Sequence, residues 1–592
     1  MITEIPSGPL RLMAVNTEAA GSFDVHLHQL RIFAGRMPAQ ATSGWLASKE
    51  ATMRVMNSIL CATLLLLGAN LAAAPDLPTY AVTDLKALGI WPISMNERGD
   101  LYGRETSVAP GGSRAPGPPH TYLFSAGFVT ELFPPTDAPN VTIPMLLNDA
   151  GHVFFATDTY THWWVYDGAS YRRIEPPAPA DAHYPLRDFG ISASNAAGQI
   201  VGVALYGPDT YPYPSFSLAW LDDGGVMQML NPLGARSCSV QGLNNWGDVA
   251  LMCLFDSSTE PTYKSVLGVR YRDGSWREIE DRIVQFVGLN DSRAVLVERG
   301  SVPSYLFDDA GAHVIDPICD EGSSNCDAWV RNLNDRGEVV GSSIFTTSTP
   351  QLPQVGSVSR ALLWRNGLSA DISPPGNGNS EATEINNHGV AVGQYINEAG
   401  KNRPFIYASG TSMDLAELRG VGAALDLTLA ESNWPVVRIA DSGHILVSSY
   451  MLDSSRKTTV WNGAHLLTPV VPTLSLTPSD TAVQVGTPVT LTWSSQYANY
   501  CVAGGGSSGD GWAGDRATSG QATLTSNAPA TVQYSIRCSA GPVSGDSKVS
   551  VAFNLVPPDD SHKRKSGGGG YVDVLVVLGL AGLGLGRRRK AA

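Results

Sequence analysis

One pattern recurs eight times between residues 95 and 447 and restricts the fold more than any other feature: an apolar residue, then Asn-x-x-Gly, then alternating apolar positions. It reads MNERGDLYG from Met95, LNDAGHVFF from Leu147, SNAAGQIVG from Ser194, LNNWGDVAL from Leu243, LNDSRAVLV from Leu289, LNDRGEVVG from Leu333, INNHGVAVG from Ile385 and IADSGHILV from Ile439. Successive units lie 44 to 54 residues apart, the period of an array in which each unit buries its apolar face on the next. Asn opening the motif can bond back to the main chain, and Gly at its fourth position accepts positive φ, so the motif predicts a tight turn between two strands. On this reading Asn96 with Gly99, Asn148 with Gly151, Asn195 with Gly198, Asn244 with Gly247, Asn334 with Gly337 and Asn386 with Gly389 are structural turn residues. Two units depart from the rule, with Arg293 in place of Gly and Ala440 in place of Asn, as a tolerant turn allows. The alternative, a ring of asparagines holding a ligand or cation, is chemically weaker, because hard cations want carboxylates.

Each unit carries a second hairpin signal. Examples are Trp163–Gly168, Val269–Gly274, Leu363–Gly367 and Val460–Gly463, all ending in Asp-Gly or Asn-Gly. Two hairpins per unit give four short strands, the content of one propeller blade. The fold class expected is therefore all-β: a β-propeller of seven or eight blades, eight favoured, over residues 80–470. Tyr80–Leu85 is available to add a strand to the last blade. Repeated aromatics such as Tyr122, Trp220, Tyr305 and Tyr407 are expected to pack between blades. From 473 to 555 the rhythm changes to LSLTPS, VQVGTPVTLTW, QATLTS, VQYSIRC and KVSVAF, a small sandwich pattern.

A formal charge of −14 and a pI near 5.2 leave no basic face for a polyanion, so nucleic-acid binding is not expected. No HExxH, GxSxG, phosphate-loop or EF-hand pattern occurs, and no catalytic, cofactor-binding or metal residue is assigned. Adjacent carboxylates, Asp222 with Asp223 and Asp308 with Asp309, would point to opposite faces of a strand, which disfavours shared acid–base work. Three or more carboxylate, Arg, His or Tyr side chains meeting at one channel mouth would favour an enzyme; a channel lined by small or apolar groups would favour binding. Cys61 lies in an apolar segment read as removable. The other six cysteines fall in local pairs, Cys238 with Cys253, Cys319 with Cys326 and Cys501 with Cys538, as disulfides in an oxidising compartment do.

The two ends point to export. Arg54, an apolar core from Ile59 to Leu67 and small residues Ala72–Ala74 make 53–74 a secretory signal peptide, with translation expected to begin at Met53 and residues 1–52 to be a misassigned or disordered leader. Such a segment implies the Sec translocon and signal peptidase as partners. Residues 556–570 form a flexible linker ending in Gly567, Gly568, Gly569 and Gly570. Residues 571–592 hold a short apolar helix followed by Arg587, Arg588 and Arg589, expected to act as a transient inner-membrane anchor with its cations cytoplasmic.

Three resemblances go further. Glycine tract, short helix and arginine cluster resemble the GlyGly-CTERM sorting signal, which implies cleavage by a rhombosortase-like protease and type II secretion in a Gram-negative bacterium. LNDRGEVVGSS with RALLWRNG, and INNHGVAVGQ with RPFIYASG, resemble the HAF-type extracellular repeats of bacterial surface proteins, a family that supplies no agreed activity. LTWSS followed by Ala498-Asn-Tyr-Cys501 and later Tyr534-Ser-Ile-Arg-Cys538 resembles a bacterial immunoglobulin-like domain, although Trp493 precedes Cys501, unlike the antibody order. The function expected is an exported surface or secreted binding protein without catalysis, its unknown ligand met by loops such as 346–357 or 206–213. The alternative is a propeller-type glycan hydrolase or lyase.

Overall fold

A computed structural model describes residues 77–105, 120–133, 142–157, 162–177, 185–207, 216–256, 263–280, 285–298, 303–320, 323–349, 352–376, 378–422, 424–425, 434–453 and 458–555. Alternating apolar strands punctuated by Asn and Gly turns form eight four-stranded antiparallel sheets, a propeller-like architecture. Seven are sequential meanders: blade 1 over 90–132, blade 2 over 142–174, blade 3 over 186–229, blade 4 over 235–280, blade 5 over 285–315, blade 6 over 324–371 and blade 7 over 380–414. Blade 8 takes Trp434–Ile439, Ile445–Asp453 and Thr458–Pro469 from the end of the array and its outer strand, Tyr80–Asp84, from the beginning. Tyr80 stands opposite Pro469 and Asp84 opposite His465.

That closure corrects one expected hairpin. Asn462 and Gly463 do not turn; they lie inside the strand Thr458–Pro469, with Ser449 opposite Gly463 and an irregularity before Tyr450. The outer edge there is already taken by Tyr80–Asp84, so no fourth strand is needed from the chain that follows. In blade 6, by contrast, Asn366 (φ 52°) and Gly367 (φ 81°) make the expected tight turn.

Each of the eight blade interfaces carries its own apolar cluster. Phe189 and Trp220 of blade 3 pack on Phe154 and Trp163 of blade 2. Leu85, Ala464 and Leu466 of blade 8 and its closing strand meet Ile90, Leu101 and Phe124 of blade 1, so the ring is closed by the same burial that builds it. Tyr122, Trp220, Tyr305 and Tyr407 all lie in these inter-blade clusters.

After Pro469, strands over 473–554 form a three-stranded and a five-stranded sheet around one core. Trp512, which sits in the glycine-rich stretch, is fully buried there. Its Nε1 donates to the carbonyls of Gly504 and Ser535, and its ring meets Trp493 and Tyr534 edge to face. Disulfides join Cys238 to Cys253, Cys319 to Cys326 and Cys501 to Cys538. Among the described residues no helix is long and apolar enough to cross a membrane. Residues 1–74, Gly567–Gly570 and 571–592 with Arg587–Arg589 lie outside the described residues.

Candidate functional site, the axial mouth of the propeller

The first strand of every blade runs into the Asn turn, and these turns surround a pocket of about 230 Å³ on the ring axis. Geometry within one turn shows what Asn supplies. In blade 1, Asn96 Oδ1 accepts from the N–H groups of Arg98 (3.1 Å) and Asp100 (2.9 Å), which fixes the turn. Its Nδ2 donates to Asp100 Oδ2 (3.1 Å) and to the carbonyl of Asn148 in blade 2 (2.9 Å). An amide has two donors and two acceptor sites, and all four are used.

The inter-blade bond repeats around the ring. Asn148 donates to the carbonyl of Asn195, Asn195 to Asn244, Asn244 to Asn290, Asn290 to Asn334, Asn334 to Asn386 and Asn386 to Ala440, at 2.8 to 3.2 Å. These asparagines are each 3 to 6% exposed, so the turn motif is also the lock between blades. Each of these amides is thus committed to its own turn and to the next blade.

The paired glycines serve the same lock. Gly389 adopts φ +75°, and a Cβ on it would fall 2.2 Å from Nη2 of Arg336, a blade 6 side chain laid over it. At Arg293 the arrangement is inverted: this residue takes φ 64° without being glycine and sends its own Nε back to Asp248 of blade 4 (2.9 Å). Asp248 has no exposed side-chain surface.

A second circuit was not read from the sequence. The residue after each Asn accepts from the backbone N–H of the preceding turn: Glu97 N to Asp149, Ala196 N to Asn245, Asn245 N to Asp291, Asp291 N to Asp335, Asp335 N to Asn387, Asn387 N to Asp441, and across the closure Asp441 N to Glu97 Oε2, at 2.6 to 2.9 Å. The signal was present, an acid or amide after seven of the eight anchor positions, with Ala196 the exception. The first circuit breaks at Ala440 and the second at Ala196, so no interface lacks both.

Six carboxylates therefore meet at this mouth: Glu97, Asp149, Asp291, Asp335, Asp441 and Glu384. Burial within the ring, then repulsion from Asp441, pushes Glu97 up to about 8, although its surface stays open to channel water. Burial raises Glu384 to about 7 despite the N–H of Ile439 donating to it. Burial likewise raises Asp149 and Asp335. The convergence that would favour an enzyme is met in number, yet each of these carboxylates accepts a backbone N–H from a neighbouring turn or strand. No group of three or more His, Cys, Asp or Glu among the described residues is arranged to hold a metal ion. Asp222 and Asp223 part as expected, toward Arg172 of blade 2 and toward Gln199. Asp308 accepts turn N–H groups, and Asp309 pairs with Arg277.

No family model matches the chain, and no curated protein matches it. Solved structures resemble it weakly. The propeller domain of the Trilobed protease from Pyrococcus furiosus, described as having an open velcro topology, is 12% identical, covers 59% of this chain and 99% of its own, and has a TM-score of 0.30. A puromycin-hydrolyzing peptidase of Mycobacterium tuberculosis is 13% identical over 59% of its own length and 64% of this chain, TM-score 0.32. Oligogalacturonate lyase from Vibrio parahaemolyticus is 10% identical over 92% of its length and 67% of this chain, TM-score 0.30. These likenesses assign no activity to this chain.

Proposed function

We propose that this chain is an exported, non-catalytic binding protein that meets its partner with the end of the propeller opposite the Asn turns. The observation that carries this reading is an asymmetry of connections. At the Asn end all eight first-to-second strand turns have five residues, and the third-to-fourth strand turns have two to five. At the other end connections range from two residues, at the tip of the long Val339–Thr349 and Leu352–Arg365 hairpin, to 15 between Glu105 and Thr121. An end with fixed turns is built for closure, and an end with variable loops is where a rigid scaffold carries recognition. Stretches 346–357 and 206–213 both belong to second-to-third strand connections at that variable end.

Three disulfides are consistent with an oxidising, exported setting. The chain leaves blade 8 at Pro469, on the Asn side, so a C-terminal immunoglobulin-like module and GlyGly-CTERM-type anchor would hold the loop end outward. Fractionation with intact-mass measurement tests the route: the released protein should begin after the signal segment, carry three disulfides and lack Arg587–Lys590. A product retaining those cations overturns the sorting reading. Shortening the 346–355 hairpin should abolish retention on a panel of surface glycans and peptides that the native protein binds.

A second reading rests on Glu97 and Glu384, whose raised values suit a general acid at neutral pH. Release of products from a polysaccharide, lost in Glu97→Gln, would favour a hydrolase or lyase and overturn the binding reading.

A further inference from the structure

The weakest point of a ring built this way is its seam, and here three observations coincide. Tyr80–Asp84 is a five-residue outer strand with one neighbouring strand in its sheet. Ala440 removes the amide that would join blade 8 to the carbonyl of Asn96, leaving the mouth of the seam to two backbone bonds onto Glu97, from Asp441 N to its carboxylate and from Ser442 N to its carbonyl (3.0 Å). The seam is also where the C-terminal sandwich docks.

That docking is specific. Asn499 Nδ2 donates to the carbonyl of Leu77 (3.2 Å), three residues before the closing strand. Arg419 Nη2 donates to the same carbonyl (3.0 Å) and to Asn499 Oδ1 (2.8 Å), while the Arg419 carbonyl receives the N–H of Tyr80 (2.8 Å). Leu77 and Tyr80 are buried with Leu415, Leu418, Val437 and Leu467. On the Asn face, a Cβ on Gly443 of blade 8 would fall 2.5 Å from Cγ of Pro542, at the tip of the last hairpin of the sandwich. At Gly99, Gly151, Gly198, Gly247 and Gly389 the atoms met first belong to the preceding blade; at Gly443 the sandwich fills that place.

We infer that the sandwich is a clasp for the propeller: it pins the N-terminal closing strand through Asn499 and, through Pro542, takes the place on the blade 8 turn that a side chain of blade 7 would otherwise fill. Opening of the ring at Tyr80–Asp84 is thereby coupled to the integrity of the C-terminal domain. This role stands whether the loop end binds a partner or performs catalysis.

Hydrogen–deuterium exchange on the full-length protein tests it. Local opening is read strand by strand, so the amides of 80–84 should exchange about tenfold faster in Asn499→Ala and in Pro542→Ser, with those of 200–206 in blade 3 unchanged. Near-UV circular dichroism of Trp493 and Trp512 reports whether the sandwich itself stays folded. If it does and 80–84 exchange as in the native chain, or if every blade loosens equally, the clasp is overturned. If the sandwich unfolds in one variant, faster exchange confined to 80–84 and 458–469 still supports it, and native exchange there overturns it.

Discussion

Asn386 donates from its side-chain amide to the carbonyl of Ala440, 3.2 Å away and 54 residues along the chain, and Ala440 has no amide to pass the bond on to Asn96. The lock that joins seven interfaces is thus missing at the one where the two ends of the array meet. Ala440→Asn should supply it. A neutral hydrogen bond contributes roughly 0.5–1.5 kcal/mol, so this substitution should raise the thermal midpoint. A lowered midpoint would show that the turn of blade 8 cannot take the geometry of the others.

Removing a lock should cost more than adding one gives. Asn334→Ala leaves the carbonyl of Asn386 and the N–H groups of Arg336 and Glu338 without the amide in a site 4% exposed. Stranding buried polar groups costs about 1–3 kcal/mol each when no water replaces the partner, so denaturant midpoints should fall clearly. A neutral outcome would mean that the amide circuit is incidental to blade packing.

Arg293 separates backbone strain from electrostatics. Its left-handed conformation favours Gly, but its guanidinium is the ion-pair partner of Asp248. Asp248 keeps hydrogen bonds from Asn244 and from Arg272 N, so losing Arg293 should cost about 1–3 kcal/mol rather than the full penalty of a lone buried charge. Arg293→Ala should be the least stable variant, Arg293→Gly intermediate and the native chain the most stable, by urea unfolding. Arg293→Gly exceeding the native protein would show that strain outweighs the pair.

The axial carboxyls should make stability fall as the medium turns alkaline. Glu97 and Glu384 have folded values raised to about 8 and about 7 from an ordinary carboxyl value of about 4.5, so the folded state holds more protons than the unfolded state between these limits. Stability is then lost as pH rises through that window. Burial lowers His152, His444 and His465, which gives the opposite slope below about 6.5, while His120, raised by its hydrogen bond to Glu131, adds to the decline above it, so the carboxyl share is read from the glutamine variants. Thermal midpoints should decline from about pH 6.5 to about 8, and Glu97→Gln with Glu384→Gln should flatten the decline. An unchanged slope in the double variant would remove these groups as its cause.

Disulfides should matter unequally. Cys501–Cys538 closes 37 residues and crosses two core strands of the sandwich, whereas Cys319–Cys326 closes only seven. Loop-closure reasoning gives the longer loop roughly 3–4 kcal/mol and the shorter one less. Cys538→Ser with Cys501→Ser should therefore lower the midpoint more than the Cys319, Cys326 pair does, measured under non-reducing conditions.

Much of the fold was legible in the letters because its turns are chemically distinctive. Asn at the first motif position and Gly at the fourth marked where strands reverse, and aromatics such as Trp220 marked the faces to be covered. Misreading came at Asn462–Gly463, a turn dipeptide that runs straight through a strand, since whether a hairpin is needed depends on which edge is already occupied. Trp512 was placed in a glycine-rich loop, and only the packing of two sheets shows it to be the plug of their core. At the axial mouth, an acid or amide following the anchor was visible in seven units, but nothing local said that it reaches the next unit's main chain.

Local chemistry by itself determined most strands, the Asn turns, eight repeat units and the cysteine pairs, while leaving seven or eight blades open, because backbone conformation and apolar periodicity are properties of neighbouring residues. Tertiary structure alone decided that each Asn amide bonds a residue 44 to 54 positions away, that Tyr80–Asp84 closes blade 8, and that Asn499 and Pro542 rest on that closure. Those contacts join residues up to 422 apart. Partners so distant are set by how the sheets stack around a common axis, which no single turn encodes.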